Sequence, residues 1–136
     1  MMTSFRLLGT ILVLSLVMAA CGGSSAASTN LNVELVEFMF NPSDFTVPAG
    51  QEITLELSNN GAVVHDFIIM NAGYEVGQDF GDDDEPNIYF KAELQPGVSE
   101  TFTFTAPEQQ GDYQVVCGIP GHYIAGMVAT LHVVEE

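Results

Sequence analysis

Positive charge is what this sequence has least of: Arg6 and Lys91 stand against eighteen acidic residues in 136. Phosphate binding needs clusters of Lys and Arg, so a nucleic-acid partner is excluded. Cysteine is nearly as scarce, with only Cys21 and Cys117. Histidine is limited to His65, His122 and His132, which excludes enzymes built on several His-rich metal sites. Long apolar runs are also lacking. The longest, residues 7–18, is interrupted by Gly9, Thr10 and Ser15 and gives out at Gly22-Gly23, short of the ~20 residues a spanning helix needs.

What that run does have is the layout of an export signal. Arg6 supplies a positive charge before it, and the small residues Ala19 and Ala20 follow it, the order of a cleaved secretory segment. The junction Met18-Ala19-Ala20-Cys21 resembles a bacterial lipoprotein processing site, which implies lipid on Cys21. Residues 1–20 are therefore expected to be a signal peptide. Residues 21–30, small and polar, are expected to be a lipid-anchored flexible linker, holding the domain on the order of 15 Å from the membrane. The protein is then expected on the outer, extracytoplasmic face of the cell membrane. Cys117 is left as the one thiol of the domain, so no internal disulfide can form. An unpaired cysteine in an oxidising compartment is protected by burial or by a metal.

Residues 31–136 read as one β domain. Residues 31–40 interleave Val, Leu and Phe with two glutamates, and residues 44–47 form a short strand that stops at Pro48-Ala49-Gly50. Residues 52–58 alternate strictly, with Ile53, Leu55 and Leu57 on one face, and 99–105 repeat the pattern with Phe102 and Phe104. Period two marks half-buried strands. Residues 63–70, 112–117 and 127–135 are further strands, punctuated by Gly, Pro and Asn turns. With no amphipathic helix, the expectation is an all-β sandwich of about eight strands. Residues 71–89 read as a polar, solvated loop with a helical turn, rich in acids at Glu75, Asp79, Asp82, Asp83, Asp84 and Glu85. It lacks the alternating spacing of a calcium loop. Such an acidic surface suits a basic partner, or simply solubility.

The chemistry concentrates in Cys117-Gly-Ile-Pro-Gly-His122-Tyr-Ile-Ala-Gly-Met127. Three ligands of soft or intermediate type sit five residues apart, in a glycine-punctuated loop between two strands. Such a loop can fold its Cys, His and Met onto one point. His65 follows an Asn-Asn-Gly turn, opens an apolar strand, and supplies a fourth ligand. Two imidazoles, a thiolate and a weak axial thioether make the type 1 (blue) copper set. The thioether argues against zinc as the intended metal. A geometry between the preferences of Cu(I) and Cu(II) favours one-electron exchange over substrate chemistry, so no enzyme is expected. A copper-delivery lipoprotein without a redox role is the alternative, though delivery favours exposed Met or His clusters that this chain lacks. His132 falls on the polar face of its strand, away from the metal.

These residues resemble the cupredoxins, in particular their auracyanin- and plastocyanin-like members, and the Cys-x4-His-x4-Met spacing looks like that of the auracyanins. The resemblance spans Phe38 to Pro42, Val47 to Gly50, the His65 strand, Thr101 to Pro107 and Tyr113 to Val133. It implies a Greek-key sandwich with one copper ion buried at one end and the His122 ring edge as electron port. It also implies an apolar rim of Ile119, Pro120, Tyr123 and Ile124 that docks redox proteins such as cytochromes or a membrane electron-transfer complex through a basic face. The protein is expected to be a monomer. One departure stands out: many cupredoxins carry Asn directly after the first histidine ligand, where this chain has Asp66. Its carboxylate is expected to bond the ligand loop.

Overall fold

The computed structural model describes residues 26–135; residues 1–20, expected to be a signal peptide, and Cys21, expected to carry lipid, lie outside the described residues. Nine strands follow in order: β1 (Asn30–Val36), β2 (Met39–Asn41), β3 (Asp44–Pro48), β4 (Glu52–Asn59), β5 (His65–Met70), β6 (Ile88–Leu94), β7 (Ser99–Thr105), β8 (Gly111–Val116) and β9 (Val128–Val134). One turn of 3-10 helix at Glu85–Asn87 precedes β6. The strands form two sheets, β2-β1-β4-β7 and β3-β9-β8-β5-β6. The chain crosses repeatedly from one sheet to the other, and β1/β4 and β3/β9 pair in parallel. The result is the all-β sandwich expected, with nine strands where about eight were expected.

Alternation builds the core. Ile53, Leu55 and Leu57 of β4 and Leu31, Val33 and Leu35 of β1 face Phe67, Ile69, Val115, Leu131 and Val133 of the other sheet. Burying each such side chain contributes about 1.5–3 kcal/mol. Phe67 sits between Phe40 and Phe45, with ring centroids 5.6 and 5.9 Å away. Strand β5 is buried at all six positions because it is covered on both faces. Ile68, Met70 and Val116 point outward, where Val76 with Tyr74, Phe80, Ile88 and Tyr123 packs over them.

That covering layer corrects the reading of residues 71–89 as solvated. Asp84 is buried and accepts hydrogen bonds from the Tyr74 hydroxyl (2.7 Å) and the Gly81 N–H (2.8 Å). The segment's polarity conceals an organised flap: Asp79 and Asp84 accept backbone N–H groups, while Glu75, Asp82, Asp83 and Glu85 stay exposed. Strand β6 also escaped sequence reading, although Phe90, Ala92 and Leu94 on its inner face alternate with the exposed Lys91 and Glu93. The stretch 31–40 is a hairpin of β1 and β2, with Val36 opposite Met39. It turns at Glu37-Phe38, where the Glu37 carboxylate accepts the N–H groups of Ala62 and Val63. Strand β5 starts at His65 and not at residue 63. The Asn59 amide holds the carbonyls of Val63 and Leu94 at 2.8 and 2.9 Å, which keeps the preceding turn out of the sheet.

Candidate metal centre

Strand direction brings the distant ligands together. Strands β5 and β8 are antiparallel, with Ile68 opposite Val116. The start of β5 therefore lies beside the end of β8, and His65 meets Cys117, which directly follows β8. The ligand loop then coils tightly before β9. The N–H of His122 donates to Ile119 O, that of Met127 to His122 O, and that of Cys117 to Met127 O, at 3.0, 3.0 and 3.2 Å. Gly121 and Gly126 flank this coil with φ of +85° and +101°, a left-handed backbone that costs L-residues energy and glycine little. The neighbouring flap holds the loop from outside. Asp79 accepts the Gly121 N–H (3.0 Å), and the Tyr123 hydroxyl donates to Val76 O (2.9 Å).

His65, Cys117 and His122 are all buried, and their ligand atoms lie within 4.8 Å of one another. The Nδ1 atoms of the two histidines face each other at 3.2 Å. Cys117 Sγ is 3.3 Å from His122 Nδ1 and 3.9 Å from His65 Nδ1. Two imidazole nitrogens at this separation cannot both carry protons without conflict, whereas a cation between them satisfies both lone pairs and the sulfur. Burial, and next the neighbouring His122, push the His65 imidazole below its ordinary value, which favours its neutral, metal-binding form. Burial pushes the Cys117 thiol up, opposed by the Asp66 N–H that points at Sγ from 3.3 Å. A cation replaces that thiol proton at lower cost than an unpaired buried thiolate would carry. Met127 is fully buried in the main core, its backbone tied to both His122 and Cys117. The donor set thus fits a soft, mono-nuclear metal, and His-Cys-His-Met is the set of type 1 copper.

Other expected residues divide. Ile124 is 68% exposed and Pro120 is exposed, while Ile119 and Tyr123 are half-buried. Tyr123 anchors the loop through its hydroxyl and contributes only part of its ring to the rim. Asp66 is buried, but its carboxylate does not bond the ligand loop as expected. Oδ2 faces Lys91 Nζ at 3.3 Å, and Oδ1 has no partner. His132 stands away from the cluster, between Asp112 (2.7 Å) and Asp44 (3.3 Å). Three neighbours escaped sequence reading. Phe38 packs edge-on against His122 with centroids 4.9 Å apart. Glu37 Oε1 lies 3.7 Å from His65 Nε2, and Lys91 reaches Asp66. The signal for Lys91 was its solitude among acids; Phe38 and Glu37 were masked by their place in an apparently continuous strand.

Comparison with known proteins agrees with this geometry. The sequence profile of the family described as "Cupredoxin-like domain" matches residues 8–129. Auracyanin-A of Chloroflexus aurantiacus is 34% identical over 145 aligned residues, covering 85% of this chain and 88% of that protein. The crystal structure of dithionite-reduced auracyanin from the photosynthetic bacterium Roseiflexus castenholzii superposes with a TM-score of 0.68 at 34% identity, over 79% of this chain and 98% of that one. Auracyanin A, described as a "blue" copper protein from the green thermophilic photosynthetic bacterium Chloroflexus aurantiacus, gives a TM-score of 0.63 at 30% identity, over 77% and 98%. The chain belongs to the cupredoxin-like domain family, as an auracyanin homologue with a type 1 copper donor set and not an enzyme.

Proposed function

We propose that the protein carries single electrons between membrane-associated redox partners, with His65, Cys117, His122 and Met127 holding the copper. Copper, when bound, supplies the Cu(I)/Cu(II) couple. The residues supply the rest. Cys117 and the thioether are soft donors that Cu(I) accepts, and the two imidazoles serve both states. The observation that carries the reading is the convergence of His65, Cys117 and His122 in a dry pocket, held by a loop whose backbone is bonded both to itself and to the flap. A pocket so constrained changes little between oxidation states, which keeps exchange fast. The backbone N–H of Asp66 directed at the Cys117 sulfur tempers its basicity.

His122 is buried to 8% exposure, and its surroundings form the electron port. Ile124, Pro120, Phe38, Met39 and Val63 are exposed apolar residues on the ligand loop, the β1–β2 hairpin and the segment before β5. A small apolar rim permits close, short-lived contact, and the acids of the flap steer a basic partner toward it. The Met18-Ala19-Ala20-Cys21 junction supports tethering on the outer face of the cell membrane. Cys21→Ser then releases the protein into the soluble fraction.

Addition of Cu(II) to the metal-free protein tests the central reading. An intense blue absorption that ascorbate bleaches is expected from the wild type, and none from Cys117→Ser. A colourless wild type, or a blue Cys117→Ser, overturns it.

A further inference from the structure

Lys91 is the one lysine of the sequence, set among eighteen acids, and it is not placed at an arbitrary surface position. It lies on β6, with Ile68 of β5 as its register partner, while Asp66 is paired with Glu93. Without Lys91, two carboxylates directly opposite each other would stand on this face, a destabilising arrangement. The Lys91 Nζ reaches diagonally to Asp66 Oδ2 at 3.3 Å. Asp66 is only 2% exposed, whereas Lys91 is 39% exposed, so the lysine closes a buried anionic site from the solvent side. That site abuts the metal centre at two points. The Asp66 N–H donates to Cys117 Sγ, and a Cβ on Gly118, the residue after the cysteine, would lie 2.9 Å from Asp66 Oδ2 and 2.7 Å from Ile68 Cδ1. Gly118 is thus the glycine that admits the carboxylate against the ligand loop.

We infer that Lys91 is a positioning and charge-balancing residue of the copper centre, holding the Asp66 carboxylate in place and offsetting its negative charge beside the Cys117 thiolate. The inference rests on the copper reading above. Asp66 alone would place an uncompensated negative charge near the metal, which favours Cu(II) and lowers the reduction potential. The Asp66–Lys91 pair is itself close to neutral, as an amide at the same position would be, and Glu93 opposite Asp66 is exposed to solvent. The chain therefore reaches with two residues on adjacent strands the electrostatic condition that a single asparagine provides elsewhere in the family.

The test is the reduction midpoint of the copper-loaded protein, followed by its blue absorption, together with urea unfolding of the metal-free protein. Lys91→Met is expected to favour Cu(II) by three- to tenfold, a negative shift of roughly 30–60 mV for one electron. Asp66→Asn should move the midpoint in the positive direction, and Asp66→Asn with Lys91→Met should return it close to the wild type. Lys91→Arg, which keeps the charge, should stay near the wild-type potential. In the metal-free protein, Lys91→Met should lower the urea midpoint by stranding a buried carboxylate, and adding Asp66→Asn should restore most of the loss. A wild-type potential in Lys91→Met, equal shifts in Lys91→Met and Lys91→Arg, or a metal-free loss that Asp66→Asn does not relieve overturns the inference. A wild type that never turns blue sinks the copper reading instead, while the metal-free unfolding series still reports on the pair.

Discussion

Cys117 and Met127 are equally buried but differ in what a substitution removes. Met127 occupies the main core as well as the ligand set, so its two roles separate under Met127→Leu. The near-equal volume should limit the stability loss to less than about 1.5 kcal/mol. Loss of the axial thioether should raise the reduction potential, because Cu(II) gains more than Cu(I) from an added donor. Spectroelectrochemistry alongside thermal unfolding checks both; an unchanged potential would reduce Met127 to a packing residue. Gly61 is the second position where one atom decides. A Cβ there would lie 2.6 Å from Glu37 Oε1 and 2.9 Å from His65 Nε2. The glutamate can swing aside, but the His65 ring is fully buried and cannot. Gly61→Ala is therefore expected to cost about 1–3 kcal/mol and to displace the His65 ring, visible as a changed blue absorption band. A stable variant with the wild-type spectrum would show that the ring has room to move.

Among the elements, β9 carries a charged network unrelated to copper. His132 links it to Asp112 of β8 and Asp44 of β3, so three neighbouring strands share one imidazole. The hydrogen bond to Asp112, with support from Asp44, raises the His132 imidazole above its ordinary value of 6.5. A group raised in the folded state stabilises fully below its unfolded value and ceases to do so as pH rises through the folded one. His132→Gln should therefore destabilise the protein at about pH 5 and have little effect near pH 9. The network is partly exposed, so the difference should be under ~1 kcal/mol. Urea unfolding at the two pH values measures it, and equal losses at both would remove the charge from the explanation. The flap between β5 and β6 is the other element with a double function. Its acids face solvent in part, yet Asp79 and Asp84 bind backbone N–H groups, so its charge cannot be assigned wholly to partner attraction.

For the whole molecule, eighteen acids against two bases predict that electron transfer to a cationic partner slows as salt rises, since screening shortens the reach of the field. Stopped-flow rates across an ionic-strength series check this, and a flat series would leave solubility as the function of the charge. Three of the ligands were legible in the sequence because only ten peptide units separate Cys117 from Met127, which confines Cys117, His122 and Met127 to one loop whatever surrounds it. The two-residue period likewise exposed β4 and β7, whose faces differ in solvent contact. Strand β6 carries the same period at Phe90, Ala92 and Leu94 but is short and half-exposed at its start, so it does not stand out beside the polar loop that precedes it. Glu37 and Phe38 were not legible, because they approach the metal centre from a hairpin far away in sequence. Local chemistry by itself determined three of the four donors and the β character of the domain, since both depend on near neighbours along the chain, whereas His65 reaches Cys117 through the pairing of β5 with β8. Only the tertiary structure decided what presses on those donors, Lys91 against Asp66 above all, because antiparallel registry between β5, β6 and β8 sets those distances.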